Sequence, residues 1–104
     1  MPKTEIILFA EDDGSCPLLE WMDILPTKAQ IKCYVRIERL EEMGHELRRP
    51  EADYLRDKIY ELRVTHQRMH YRILYFFHEN KGVISHGLMK EKNVPPKEID
   101  LAIN

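Results

Sequence analysis

The sequence predicts an α+β domain in which a helical pair packs on one face of a mostly antiparallel sheet. Two patterns and their order predict it. Residues 27–43 carry apolar side chains at helical spacing and run into Gly44. Further on, Tyr60, Leu62 and Val64, then Tyr71, Ile73 and Tyr75, alternate with more polar positions, the period-two signature of strands with one face on a core. The order strand, helix, helix, strand, strand, strand fits helices segregated to one side of a sheet.

Each element has its local reasons. Glu5 to Ala10 reads as a first, well-buried strand, ended by the turn chemistry of Glu11, Asp12, Asp13 and Gly14. Ser15 is positioned to cap a short helix reaching Leu25, with Pro17 tolerated in its first turn and Leu18, Leu19, Met22 and Leu25 as its buried stripe. Pro26 closes it. Thr27 followed by Gln30 suggests a capping box for a longer helix, which sets Ala29, Cys33, Ile37 and Leu40 along one side and stops at Gly44. His45 to Asp53 reads as irregular. Three strands are then expected at about Lys58–Val64, Met69–His78 and Val83–Met89, joined by hairpin turns at Thr65–Arg68 and Glu79–Gly82. A short helical tail, Lys97 to Ile103, puts Ile99 and Ile103 at i, i+4.

At 104 residues and 12.5 kDa the expected organisation is one domain over 1–104. With 43% hydrophobic and 33% charged residues, disordered, collagen-like and coiled-coil classes fit poorly. The net charge of −2 carries no nucleic-acid signature as an average. By segment it does: residues 1–26 sum to −5, whereas Tyr54 to Lys97 sum to +5 and hold four of the five histidines. An anionic ligand suits that second stretch. Cys16 and Cys33 have neither CxxC spacing nor a zinc pattern, so they read as buried thiols. Ile6 to Ala10 is too short to span a membrane and no leader pattern surrounds it, so a cytoplasmic location is expected.

The chemistry is expected on the polar side of the sheet. Pairing Tyr60 with Ile73 and Leu62 with Tyr71 aligns the apolar faces, setting Glu61 opposite Arg72 and Arg63 opposite His70. Two arginines, a histidine and one carboxylate then share a patch fit for a phosphodiester, with Lys90 and Lys92 near its rim. A plain cross-strand ion pair on a solvated face is the bland reading of the same residues. His66 and His70 on one strand would lie roughly 13 Å apart, too far to share a metal, and no metal site or cofactor is expected. Tyr71, Tyr75, Phe76 and Phe77 read as core before they read as base-stacking rings. No Ser/His/Asp triad, phosphate-cradling glycine loop or glycosidase carboxylate pair is present in the sequence.

Several short motifs in fixed order carry a family resemblance over nearly the whole chain. They are Lys28-Ala29-Gln30, Ile37 through Gly44, Arg49-Pro50, Tyr54 through Arg63 with Tyr60-Glu61-Leu62-Arg63 inside it, Tyr71 through Phe77, His86 through Lys90, and Pro96-Lys97-Glu98-Ile99. The ordered set resembles the RelE/ParE superfamily, and within it the HigB-like branch that includes phage-derived toxins. The resemblance implies a RelE-like fold, two N-terminal helices on a small twisted sheet with a short C-terminal helix. It also implies the toxin of a type II toxin–antitoxin pair, an endoribonuclease that cuts mRNA, typically on the translating ribosome. Arg63, Arg72 and Lys90 match positions carried over as active-site groups. His70 is added on chemical grounds, since its intrinsic pKa lies near neutrality. Arg68, Lys58 and Lys92 are the expected RNA contacts. Members often have a glycine where this chain has Lys58 and a second basic residue where it has Glu91. The expected partners are a helix-turn-helix, HigA-like antitoxin, mRNA and the ribosome, with no membrane. The acidic Glu11, Asp12 and Asp13 suit a basic antitoxin segment. Two alternatives stay open: a ParE-like toxin that inhibits DNA gyrase without cutting RNA, and an inactive antitoxin-binding module.

Overall fold

The computed structural model describes residues 3–90 and 96–103, with the backbone alone for Lys90 and residues 96–98. Alternating apolar positions and three tight turns build most of it. The strands β1 (Ile6–Leu8), β2 (Ala52–Arg56), β3 (Ile59–His66), β4 (Met69–His78) and β5 (Lys81–Lys90) form one sheet in the order β1-β5-β4-β3-β2. All neighbours pair antiparallel except β1, which runs parallel to β5 through Ile6–Gly82, Ile7–Val83 and Leu8–Ile84. The helices α1 (Pro17–Asp23) and α2 (Thr27–Met43) lie on one face, and α3 (Pro96–Ile103) on the other. The architecture is therefore α+β with a mostly antiparallel sheet and a short C-terminal helix.

β2, β3, β4 and β5 follow one another through two-residue loops, Asp57-Lys58, Gln67-Arg68 and Glu79-Asn80, and both residues of every loop have positive φ between 49° and 69°. Positive φ at both central positions is the type I′ geometry, whose twist matches that of the flanking strands. These loops correct the expected register. The four-residue turn Thr65–Arg68 gives way to Gln67-Arg68 alone, because Thr65 and His66 remain in the ladder against His70 and Met69. Tyr60 therefore faces Tyr75, Leu62 faces Ile73, and Arg63 faces Arg72, while Glu61 faces Leu74. The displacement is two residues, an even number, so every side chain keeps its expected face. The Glu79–Gly82 turn likewise shortens to Glu79-Asn80. β2 is not among the expected strands: it starts at the end of the stretch read as irregular and runs on to Arg56, and Asp57-Lys58 is the hairpin that joins it to β3.

On the helical face the core gathers Leu18, Met22, Leu25, Ala29, Cys33 and Leu40 from the α1–α2 region against Leu62, Val64, Tyr71, Ile73, Tyr75 and Ile84 of the sheet. Leu19 is not part of the α1 stripe and is 40% exposed. Ser15 is not the cap of α1 either. Cys16 occupies that position, and the Ser15 amide instead donates to the Asp13 carboxylate at 2.9 Å, with Pro17 starting the helix where no amide is needed. At α2 the expected capping box is absent: Pro26 is the N-cap, and Gln30 Nε2 donates to the Met22 carbonyl at 2.6 Å, tying the start of α2 to the end of α1. Gly44, with φ of 54°, ends α2 as its position predicts. β1 is shorter and less buried than expected, because it is an edge strand with one neighbour. Tyr71 and Tyr75 are core, and Phe76 and Phe77 pack partly buried against the two cores.

The second face carries its own small core. Ile99 and Ala102 of α3 cover Ile59 of β3 and Leu74 of β4, flanked by Leu55, Phe76 and Leu88. The apolar side of α3 therefore runs through Ile99 and Ala102, at i, i+3, while Ile103 stays 46% exposed. α3 seals one end of this face and leaves the other to the charged residues.

Candidate active site

Strand alternation brings Glu61, Arg63 and Thr65 of β3 and His70 and Arg72 of β4 to the same face of the sheet, at the end α3 does not cover. Arg63 and Arg72 are directly opposite. Two guanidinium groups so placed repel, and Glu61 relieves the repulsion from between them: its Oε2 is 3.6 Å from Arg63 Nε and its Oε1 is 3.5 Å from Arg72 Nε. Glu61 and Arg72 are each only 4% exposed, whereas the Arg63 side chain keeps 32% of its surface open. Burial lowers the Arg72 pKa from its ordinary value; Glu61 raises it, and the like charge of Arg63 lowers it further. Arg72 nevertheless stays charged at neutral pH, since guanidinium is not deprotonated in proteins. Its Nη1 donates to the Tyr71 carbonyl at 3.0 Å, while its buried Nε has no hydrogen-bond partner among the described residues.

These groups line a cleft of about 350 Å³ whose walls are Arg36, Pro50, Arg63, Thr65, His70 and Arg72. Thr65 Oγ1 lies 3.3 Å from His70 Nδ1 and holds the imidazole by that nitrogen. Arg36 reaches the cleft from α2, and Pro50 from the segment before β2. Arg36 does not stand out in the sequence, because a lone arginine in a helix reads as solvated surface, and Pro50 figures there only within the Arg49-Pro50 motif, with no role at a site. Beside the cleft, Glu51 draws Arg39 into a two-point contact, Nε to Oε2 at 2.8 Å and Nη2 to Oε1 at 3.1 Å, and Arg36 Nη1 shares Oε2 at 3.1 Å. The hydrogen bond from Arg39 is the main cause that lowers the Glu51 pKa. Three guanidiniums, Arg36, Arg63 and Arg72, line the cleft and no carboxylate does, while Glu51 and Glu61 pair with them from beside it, an arrangement suited to a phosphate.

The remaining sequence candidates distribute unevenly. Arg68 is the second residue of the β3–β4 loop, at the same end of the sheet as His70, where an exposed cation can reach the rim. Lys58 is in the loop at the opposite end of β3, roughly 16 Å from Arg63 along the strand, and does not join the cluster. Lys90 closes β5 with its Cα paired to that of His70. Its side chain and the whole of Lys92 lie outside the described residues. His66 and His70 do not share a strand. They straddle the β3–β4 loop, and alternation sends them to opposite faces of the hairpin. Among the described residues no group of three or more His, Cys, Asp or Glu side chains could hold a metal ion, and no helix is long and apolar enough to cross a membrane.

Arg63 is the accessible cation of the cluster, Arg72 a buried positive charge beneath it, and His70 a neighbouring group able to exchange a proton. A family model described as Phage derived protein Gp49-like (DUF891) matches residues 20–104, which contain every residue of this cleft. Comparison with the curated proteins returns no match.

Proposed function

Because the chain belongs to the Gp49-like family of phage-derived proteins, we propose that it is the toxin of a type II toxin–antitoxin pair, of the HigB-like branch of the RelE/ParE superfamily, and that it cuts mRNA. The observation that carries this reading is the direct opposition of Arg63 and Arg72 beside His70, in a cleft with more guanidinium than carboxylate. A module that only bound an antitoxin has no need of guanidiniums converging on one cleft beside an imidazole.

The reaction suited to this cleft is attack of a ribose 2′-hydroxyl on the adjacent phosphorus with loss of the 5′-oxygen, which leaves a 2′,3′-cyclic phosphate and a 5′-hydroxyl. Arg63 contacts the non-bridging oxygens with its planar fork. Arg72, shielded from water, raises the positive potential where the pentacoordinate phosphate gathers charge. With Thr65 on Nδ1, the Nε2 of His70 is left to take the 2′-hydroxyl proton. Lys90, whose Cα pairs with that of His70, is the candidate acid that delivers a proton to the leaving 5′-oxygen, and Arg68 supplies further charge at the rim. Alignment of the attack by these fixed groups is itself a large part of the rate. A helix-turn-helix antitoxin is the expected neutralising partner, and the ribosome the expected setting in which message is presented.

Mapping RNA 5′ ends after brief induction tests the reading. New 5′-hydroxyl ends within coding regions, absent from the Arg63→Ala strain, are expected. Growth arrest with intact message and DNA breaks would replace the reading with gyrase inhibition, and no arrest at all would leave an antitoxin-binding module.

A further inference from the structure

We propose that Arg36 forms a second phosphate subsite, which takes the phosphate adjacent to the one at Arg63 on single-stranded RNA; the inference rests on the ribonuclease reading above. Arg36 and Arg63 line the same cleft from different elements, α2 and β3, with Pro50 and Thr65 in the same wall. β2 begins to pair only at Ala52–Leu62, and the Arg63 amide adds one last bond, to the Glu51 carbonyl at 2.9 Å. Beyond that point a hollow of about 270 Å³ lies between α2 and β3, lined by Lys32, Val35, Arg36, Val64 and Thr65, and it shares Arg36 and Thr65 with the cleft. Along it α2 presents Lys32, Arg36 and Arg39 at i, i+4 and i+7, one face of the helix. Lys32 reaches over to the Thr65 carbonyl at 3.3 Å, and Arg36 enters the cleft.

A plain structural ion pair does not use up Arg36. Arg39 already engages both oxygens of Glu51, so Arg36 shares one oxygen through Nη1, and its buried Nε has no hydrogen-bond partner among the described residues. The Arg36 side chain is 28% exposed and makes one shared contact, so its Nη donors, not the buried Nε, are the ones left for a phosphate. The ligand class is the sugar–phosphate backbone, bound without regard to base.

The test is fluorescence anisotropy with a short fluorescein-labelled single-stranded oligoribonucleotide whose 2′-hydroxyls are methylated, titrated across a range of potassium chloride, together with single-turnover cleavage of the unmethylated strand. Arg36→Ala is expected to weaken binding about tenfold and to reduce the slope of log affinity against log salt by about 0.7, the value for one phosphate contact on a single strand. Single-turnover cleavage at subsaturating RNA should fall by about the same factor as the affinity, since a lost subsite acts through binding. Arg36→Lys should keep the salt slope, because it keeps the charge. Arg39→Ala should weaken binding less than Arg36→Ala; the reverse order would mean that Arg36 acts only through Glu51 and would overturn the proposal. Should Arg36→Ala not fold by its thermal melt, Arg36→Gln carries the same measurement. Parental affinity and slope in Arg36→Ala, with RNA binding lost in Arg63→Ala, would remove the second subsite and leave the ribonuclease reading standing. Absence of RNA binding by the parent protein would overturn the second subsite, whereas the ribonuclease reading is decided by the 5′-end map.

Discussion

Arg63 and Arg72 stand face to face, yet their substitution has different consequences for the folded state. Arg72 is buried against a buried carboxylate, so Arg72→Ala leaves Glu61 desolvated with one partner fewer and is expected to destabilise by about 3 kcal/mol in urea unfolding. Arg63 is the more open of the two, and Arg63→Ala should change stability by no more than about 1 kcal/mol. Loss of toxicity in Arg63→Ala therefore reports on chemistry, whereas the same loss in Arg72→Ala has to be read beside its melt. The two thiols should separate as well. Burial pushes Cys33 up to about 11, so it stays protonated and enclosed at neutral pH, and native-state alkylation should label the half-buried Cys16 first. The motif around Arg63 and the one around Arg72 were legible because each lies in a strand whose alternation fixes its face. Arg36 was not, because its value comes from where a helix happens to cross the end of β2, and a single sequence carries no trace of that crossing.

Among the elements, the hairpins explain what was legible and what was not. Apolar alternation defined the faces of β3 and β4 correctly even though the pairing was displaced by two residues, since an even slip preserves facing. The loop lengths escaped because none of the three type I′ turns contains the Asn-Gly or Asp-Gly that usually marks one. That omission leaves room for stabilisation. Replacing Glu79-Asn80 with Asn-Gly puts asparagine, which tolerates left-handed backbone, at the first position and glycine at the second, and should add about 1 kcal/mol to the unfolding free energy, read from the urea midpoint at constant slope. The seat of α1 on β5 is the opposite case. A Cβ at Gly87 would come within 2.3 Å of the Trp21 ring, so Gly87→Ala has to displace the indole and should destabilise by about 1–3 kcal/mol. Trp21 is the sole tryptophan, so a shift of its emission would report the displacement directly.

For the whole molecule, the net charge of −2 is an average over unlike parts. The guanidiniums at the cleft, set in a chain that is negative overall, favour short-range capture of an anion over long-range attraction. Two ion pairs, Glu51 with Arg39 beside the cleft and Asp53 with Arg49 (Nη2 to Oδ2 at 2.6 Å), set the acid limit. Hydrogen bonds from Arg39 and Arg49 are the main causes that hold Glu51 and Asp53 below their ordinary pKa values of 4.5 and 3.8. A carboxylate with a depressed folded pKa contributes its full stability above the unfolded value and loses it as pH falls through the folded one. Stability should therefore be level in this respect above about pH 4.5 and decline below it, and Glu51→Gln should flatten part of that decline in melts taken across the acid range. The parallel pairing of β1 with β5 has a consequence in time. The first strand to leave a ribosome waits for Gly82, Val83 and Ile84 before it has a neighbour, and Trp21 of α1 waits for Gly87. Chains interrupted before β5 would present β1 and α1 without their seats, so nearly the full length must be synthesised before the protein closes.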